Sequence, residues 1–176
     1  MNLTTSICCY YYPIKIKYAN FISGFQTGYS LIEFQQLGDT CLIKIDTDAG
    51  ITGWGEVDSA PTVVKAIVEA PLSHQICTGL AIVLEGADPL AIDLCMTRMN
   101  EAVNYYGRTA VGAHAMASVN LALWDIAGKV AGLPIHRLLG TCRDRVPAYA
   151  SSGYLATPED YAEEARHFQD LGWPAY

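Results

Sequence analysis

The sequence predicts an α+β fold, because segments with the alternation of strands precede a long run of helical patterns. Thr40–Thr47 alternates apolar and other residues in the manner of a half-buried strand. Ile51–Val57 reads as the returning strand, after a turn that contains Asp48 and Gly50. An earlier strand over Tyr10–Tyr18 would complete a three-stranded antiparallel meander, which the helices follow.

The segment from Ala19 to Gly38 is predicted to be irregular. It is rich in Gly, Ser and Gln, and loops of this length are usually either functional lids or disordered. Its aromatic residues argue against disorder, because they give the segment something to bury. These aromatic residues are Phe21, Phe25, Tyr29 and Phe34. The residues alone leave open whether the segment is a lid or a loop that packs on its own domain.

Gly53-Trp54-Gly55 is an unusual sequence for a strand. Glycine weakens a strand, so two of them around Trp54 indicate a bulge or a close approach of another backbone. The simplest interpretation of Trp54 itself is an anchor in the hydrophobic core.

Helical patterns fill most of the chain from Pro61 to Gly140. Pro61 opens the first, and a less regular helical segment extends through Leu84. Asp88 and Pro89 read as the N-cap and first residue of a helix that runs to about Asn104. Gly107–Gly140 then contains a central packing helix, whose many small residues allow close neighbours. Gly132 is the predicted stop of this helix.

A different pattern begins after Gly140. Val146–Ser151 is predicted to be a short strand, and Thr157 is a predicted N-cap with Pro158 at the first helical position. This helix should run through Leu171, and Trp173–Tyr176 resembles the approach to another strand. A strand, a helix and a second strand in this order indicate the start of a parallel sheet.

The charge of the chain restricts its partners. Eighteen acidic residues against eleven basic ones give a net charge of −7, which disfavours nucleic acid and anionic membranes. No apolar run reaches the roughly 20 residues that a membrane helix needs, and the N-terminus lacks the pattern of a signal peptide. A cytoplasmic location is therefore expected.

Several motifs occur in the order found in one family. ALWDIAGKVAGLPIHRLLG, with Gly107-Arg108 upstream and RDRVPAYAS downstream, resembles the end of the N-terminal capping domain of the enolase superfamily, in its mandelate racemase/muconate lactonizing enzyme group. IKIDTDAGITGWGE and DPLAIDLCMTRM resemble earlier parts of the same domain. The resemblance implies an enolase-like capping domain over residues 1–141. Residues 142–176 would be the first β-α unit of a truncated TIM-type (β/α) barrel.

The resemblance also implies a chemistry. Family members use Mg²⁺ to stabilise the enediolate formed when the proton α to a carboxylate is removed, and a sugar-acid dehydratase or racemase is the expected type. The full-length protein would act on a small-molecule carboxylate and form a homo-oligomer. The catalytic and metal-binding residues are expected beyond Tyr176, so the chain alone should bind no Mg²⁺ and be inactive. The alternative is a non-catalytic truncated cap that acts only in folding or in association with a homologous chain.

Candidate substrate-binding residues follow from the same resemblance, and none is catalytic or metal-binding. The first loop and the segment around the third strand contribute Phe21, Phe25, Tyr29, Trp54, Glu56 and Asp58. Ser151, Ser152 and Tyr154 follow the predicted first barrel strand, on the side where barrel enzymes place chemistry; an ordinary β-α loop is the alternative. Asp125 has a structural role in the family. His114, in an apolar helix, is interpreted as a core histidine.

Overall fold

The computed structural model describes residues 3–14, 38–74 and 77–176, with side chains from residue 41 onward within those ranges. The described chain up to Gly140 belongs to one compact unit, and Thr141–Tyr176 belongs to a second. Sheet and helices together in the first unit confirm the α+β prediction. The identification of the second unit with the start of a barrel stays a prediction.

The first unit begins with antiparallel strands in the order β1, β2, β3. β1 spans Leu3–Ile14, β2 spans Gly38–Thr47 and β3 spans Thr52–Val57. β2 pairs with both neighbours, and the turn between β2 and β3 places Gly50 at φ +74°. The strands predicted at Thr40–Thr47 and Ile51–Val57 are confirmed. β1 begins well before the predicted Tyr10, and residues 15–18 of that prediction lie outside the described ranges.

Five helices of the described chain follow in this unit. They are α1 (Pro61–Glu69), α2 (Leu80–Leu84), α3 (Ile92–Val103), α4 (Val111–Ala131) and α5 (Ile135–Leu138). α4 is the central helix predicted from sequence, and it ends where expected, with Gly132 in the left-handed conformation at φ +64°. Its first residue follows Ala110, which adopts φ +51° and ψ −128° without being glycine.

The predicted start of α3 at Asp88 is wrong. The helix begins at Ile92, and its N-cap is Ala91. Asp88 instead closes a turn: its carboxylate accepts the N–H of Leu90 at 3.0 Å, and its carbonyl accepts the N–H of Ala91 at 3.1 Å. An Asp carboxylate can accept a backbone N–H in a turn as readily as at a helix N-cap. In this chain Asp88 does so in the turn that precedes α3.

The core lies between the sheet and α4. Ile43 and Ile45 of β2 are fully buried, as are Val119, Leu123 and Ile126 of α4. Side chains of this size, once fully buried, each contribute about 1.5–3 kcal/mol relative to an exposed position. Sheet and helix are therefore held together mainly by apolar burial.

β3 approaches α4 so closely that only glycine fits at positions 53 and 55 of its inner face. A Cβ on Gly53 would lie 2.2 Å from the Ala122 carbonyl oxygen, and one on Gly55 would lie 1.8 Å from that of Ser118. This close approach was predicted, whereas the assignment of Trp54 to the core was wrong. Trp54 lies between two inward-facing glycines, so strand alternation turns its side chain away from α4, where it is 43% exposed.

The second unit contains α6 (Pro158–Asp170), and its predicted start is confirmed. Thr157 accepts the N–H of Asp160 at 3.2 Å, and Asp160 accepts the N–H of Thr157 at 3.0 Å, which forms a capping box. The strand predicted at Val146–Ser151 is wrong. A strand needs a ladder of hydrogen bonds, and between this segment and the one after α6 the described chain has a single backbone bond, from Ala150 N–H to the Ala175 carbonyl at 2.9 Å.

Within the described residues, the helices are all too short or too polar to cross a bilayer.

Candidate functional site

The outer face of β3 presents two of the candidate residues together. Trp54 and Glu56 alternate with the buried residues Gly53, Gly55 and Val57, so both point away from α4. Both side chains are exposed, as is that of Asp58, directly after the strand. The end of β3 therefore has an exposed indole and two exposed carboxylates.

Asp125 and Lys129 of α4 fix the backbone beneath this face. The Asp125 carboxylate accepts the N–H of Trp54 at 2.8 Å. Lys129, one turn further along, donates to the same Asp125 oxygen at 2.6 Å and to the carbonyl of Thr52 at 2.7 Å. Because one clasp holds both Thr52 and Trp54, the strand cannot slide along the helix without breaking charged hydrogen bonds. The structural role expected for Asp125 is thus to hold the backbone of β3 against α4.

The segment after β3 has a tie of its own to α4. Ser59 Oγ lies 2.9 Å from Nδ1 of His114, within hydrogen-bond distance. His114 is exposed and does not belong to the core, so its interpretation as a core histidine was wrong. An apolar helix still has one solvent-facing stripe, and His114 lies on it, beside the segment that leaves β3. This contact was missed because its partners are 55 residues apart.

The candidate residues of the second unit differ in exposure. Ser151 and Tyr154 are exposed, and Tyr154 is 98% so. The Ser152 hydroxyl instead donates to the Glu164 carboxylate of α6. The same Glu164 oxygen accepts the Tyr176 hydroxyl at 2.7 Å. These hydrogen bonds, first that from Ser152 and then that from Tyr176, lower the pKa of Glu164 below its ordinary range.

Tyr161 also contacts this loop from α6. Its hydroxyl accepts the N–H of Leu155 at 3.0 Å and lies 3.4 Å from the carbonyl of Gly153. Tyr161 and Glu164 are three residues apart, so they share one face of the helix. Sequence reasoning singled out the loop and overlooked both helix residues that hold it.

Three candidates, Phe21, Phe25 and Tyr29, lie outside the described residues. The others fall into two groups, one in each unit: Trp54, Glu56 and Asp58 in the first, and Ser151, Ser152 and Tyr154 in the second. Side chains able to bind Mg²⁺ were sought across the described part of the chain. It contains no cluster of three or more His, Cys, Asp or Glu residues arranged to hold a metal ion.

Comparison with known proteins gives a consistent result. Residues 32–140 match the family described as mandelate racemase / muconate lactonizing enzyme, N-terminal domain. A D-galactonate dehydratase of Variovorax paradoxus is 38% identical over 115 residues, which cover 63% of this chain and 27% of the relative. One from Xanthomonas campestris pv. campestris is 38% identical over 110 residues, covering 61% and 26%. The chain thus spans about a quarter of the length of these relatives.

Solved structures resemble the chain at the level of the fold. An enolase-superfamily member from a Polaromonas species has a TM-score of 0.70 at 25% identity, covering 97% of this chain and 42% of that one. A 3,6-anhydro-D-galactonate cycloisomerase from Zobellia galactanivorans has a TM-score of 0.66 at 29% identity, covering 77% and 36%.

Proposed function

Because the chain belongs to the mandelate racemase/muconate lactonizing enzyme N-terminal domain family, we propose that it is the substrate-selecting cap of an enolase-superfamily enzyme that acts on a sugar acid. The observation that carries the proposal is the 38% identity to D-galactonate dehydratases over 110–115 residues. The reaction type is that of a sugar-acid dehydratase or racemase, which removes the proton α to the carboxylate. The substrate class is an aldonate with several hydroxyl groups.

The exposed residues of the first unit suit such a ligand. Sugar hydroxyls donate hydrogen bonds, and the carboxylates of Glu56 and Asp58 accept them. The indole of Trp54 offers apolar surface to the C–H face of the carbon chain. Phe21, Phe25 and Tyr29 are part of the proposal through the family resemblance alone.

The second unit contributes hydroxyl donors. Ser151 and Tyr154 are exposed, and their hydroxyls can donate to the carboxylate or accept from the hydroxyls of a sugar acid. Ser152 has a different part, because its hydroxyl is already donated to Glu164. Residues 142–176 are proposed to be the start of the barrel.

Magnesium belongs to the proposal as the family's cofactor, and when bound it would stabilise negative charge on the substrate carboxylate. The described residues contain no cluster of three or more ligands for it, and the chain's own residues are assigned to binding and orientation of the substrate.

The proposal is tested by titrating the ¹⁵N-labelled chain with D-galactonate and, as the matched control, with D-galactose. The two ligands have the same configuration at C2 to C5, and D-galactose lacks the carboxylate and closes into a ring through its C5 oxygen. In the first unit we expect D-galactonate to shift the amide signals of Trp54, Glu56 and Asp58. In the second unit, considered by itself, we expect it to shift those of Ser151 and Tyr154. D-galactose should shift all of these signals less. Equal shifts with both ligands, or no shifts with D-galactonate, would contradict the proposal.

The alternative is a non-catalytic cap that acts through association with a homologous chain. Dehydration of D-galactonate by the chain alone in the presence of Mg²⁺ would contradict the alternative. Binding of the sugar acid without turnover fits both the cap proposal and an inactive chain, and co-elution with a homologous full-length enzyme would then favour the alternative.

A further inference from the structure

Helix α6 holds the Ser151–Leu155 loop by two side chains that lie one turn apart. Glu164 accepts the hydroxyl of Ser152, and Tyr161 accepts the N–H of Leu155. The two contacts lie on either side of Gly153 and Tyr154 in sequence. A segment that is held at both ends in this way loses most of its conformational freedom.

Two acceptors lie near the Ser152 hydroxyl, and the Glu164 carboxylate is the stronger of them. A serine hydroxyl has one proton, and Ser152 Oγ lies near both the Glu164 carboxylate and, at 3.1 Å, the carbonyl of Gly153. A carboxylate is the better acceptor because it is charged. The Ser152 proton is therefore committed to Glu164 and is not available for donation to a ligand.

Glu164 is itself held by more than Ser152. Tyr176 donates to the same carboxylate oxygen, and the Tyr176 ring stacks on Phe168 of α6 with centroids 5.9 Å apart. Phe168 also meets the edge of Trp173 at 6.0 Å. The carboxylate is thus oriented by the aromatic cluster that covers this face of α6.

Ser151 and Tyr154 differ from Ser152 in their exposure to solvent. Ser151 is exposed, and Tyr154 has almost the full accessibility of a free side chain. An exposed side chain on a mobile loop would lose much of its binding energy to ordering, whereas one on a fixed loop would not. Ser152 and Leu155 thus attach the loop to α6, whereas Ser151 and Tyr154 have exposed side chains.

We propose that Glu164, with Tyr161, is a positioning residue, which fixes the Ser151–Leu155 loop so that Ser151 and Tyr154 are presented to the sugar acid. This inference rests on the proposed function for the identity of the ligand. The positioning itself is a property of the loop without ligand, so it can be tested separately.

The test compares the rate of chymotrypsin cleavage after Tyr154, quantified by mass spectrometry, among variants of the full chain. Cleavage needs a locally opened segment, so its rate reports how firmly the loop is held. We expect Glu164→Ala to raise the rate about tenfold, as for the loss of a hydrogen bond to a charged group. The matched control is Glu163→Ala, an exposed carboxylate one residue away on the same helix, which should leave the rate unchanged.

Two further variants keep the test informative if Glu164→Ala perturbs α6. Glu164→Gln retains an acceptor oxygen and should raise the rate only partly. Ser152→Ala should raise it as much as Glu164→Ala, and the double variant should add nothing, because both remove the same contact. A wild-type rate in Glu164→Ala and Ser152→Ala, or an equal rise in Glu163→Ala, would overturn the inference.

A pH titration tests whether the charge of Glu164, and not only its bulk, holds the loop. Because the pKa of Glu164 is lowered, its charged form holds Ser152 at neutral pH, and the contact is lost only as the pH falls through that lowered value. The Ser152 and Gly153 amide signals should therefore titrate below the ordinary range of a Glu side chain. In Glu164→Gln this transition should disappear, and its persistence there would count against Glu164.

Ligand binding connects the inference with the proposed function. In Glu164→Ala, D-galactonate should shift the Tyr154 amide less than in the wild-type chain and the Trp54 amide equally. Undiminished shifts at Tyr154 would overturn the positioning role. Absence of any shift in the wild-type chain would contradict the proposed function, and the cleavage experiment would still decide the role of Glu164.

Discussion

The carboxylate of Asp125 in α4 accepts the backbone N–H of Trp54 in β3 at 2.8 Å, across 71 residues of sequence. The same oxygen accepts the ammonium group of Lys129, which also reaches the carbonyl of Thr52. The strand that carries Trp54 and Glu56 is therefore fixed by α4 from below, while its outer face stays open.

Removing the Asp125 carboxylate, which with Lys129 forms the clasp on β3, should lower the stability of the first unit. We expect Asp125→Ala to lower the free energy of unfolding by about 1–2 kcal/mol, because the Trp54 N–H and the Lys129 ammonium lose their shared acceptor. Asp125→Asn should have a smaller effect, since its amide oxygen can still accept from Trp54. Urea unfolding measures both, with Glu101→Ala, at an exposed position of α3, as the control, expected within about 0.5 kcal/mol of the wild-type chain. Equal effects of Asp125→Ala and Glu101→Ala would show that the clasp does not stabilise the fold.

The glycine at position 55 should tolerate no side chain. Gly55→Ala places a Cβ 1.8 Å from the Ser118 carbonyl oxygen, a backbone atom that cannot rotate aside. We expect a loss of about 3 kcal/mol or more, at the upper end for overpacking. Gly86→Ala is the comparison: at φ +71° and with no atom within 4 Å of the new Cβ, it adds only backbone strain, about 1 kcal/mol. Similar unfolding midpoints for the two variants would contradict the close contact.

Ala110 offers a stabilising substitution. At φ +51° and ψ −128° its backbone is strained for any residue that carries a Cβ. Ala110→Gly should therefore raise the free energy of unfolding by about 1 kcal/mol, after the greater entropy of glycine in the unfolded chain is subtracted. Ala117→Gly, on the exposed side of α4, should instead lower it by about 1 kcal/mol. Thermal unfolding of the two variants tests the sign, and a loss of stability in Ala110→Gly would be the contrary result.

The contact between Ser59 and His114 should appear as a coupling between distant positions. In a double-mutant cycle of Ser59→Ala and His114→Ala, we expect a coupling energy of about 0.5–1 kcal/mol, the usual contribution of one hydrogen bond. The control cycle pairs Ser59→Ala with His136→Ala on α5, where the two effects should simply add. Additive effects in the first cycle would mean that the segment after β3 is not held by α4.

Features set by neighbouring residues were predictable from sequence. The capping box at Thr157 and Asp160 is local, and the left-handed stop at Gly132 depends on one residue. The glycines at 53 and 55 correctly indicated a close backbone approach. They also contained the information that was missed, because two inward glycines two residues apart require Trp54 to face outward.

Features set by distant residues were not predictable. Asp88 and Pro89 can begin either a turn or a helix, and the choice depends on how the following chain packs. Pairs such as Ser59 with His114 need the fold before they can be named. Likewise, the pattern of Val146–Ser151 is compatible with a strand, yet a strand exists only where a partner supplies the ladder.

The close approach of β3 to α4 at its two glycines separates two kinds of position in the same strand. At Gly53 and Gly55 the fold forbids substitution, whereas Trp54 and Glu56 between and beside them have no such steric role towards the helix. A change in the size of the side chain at position 54 or 56 therefore adds no atoms to the close contact at Gly53 and Gly55, whereas a single methyl group at either glycine does.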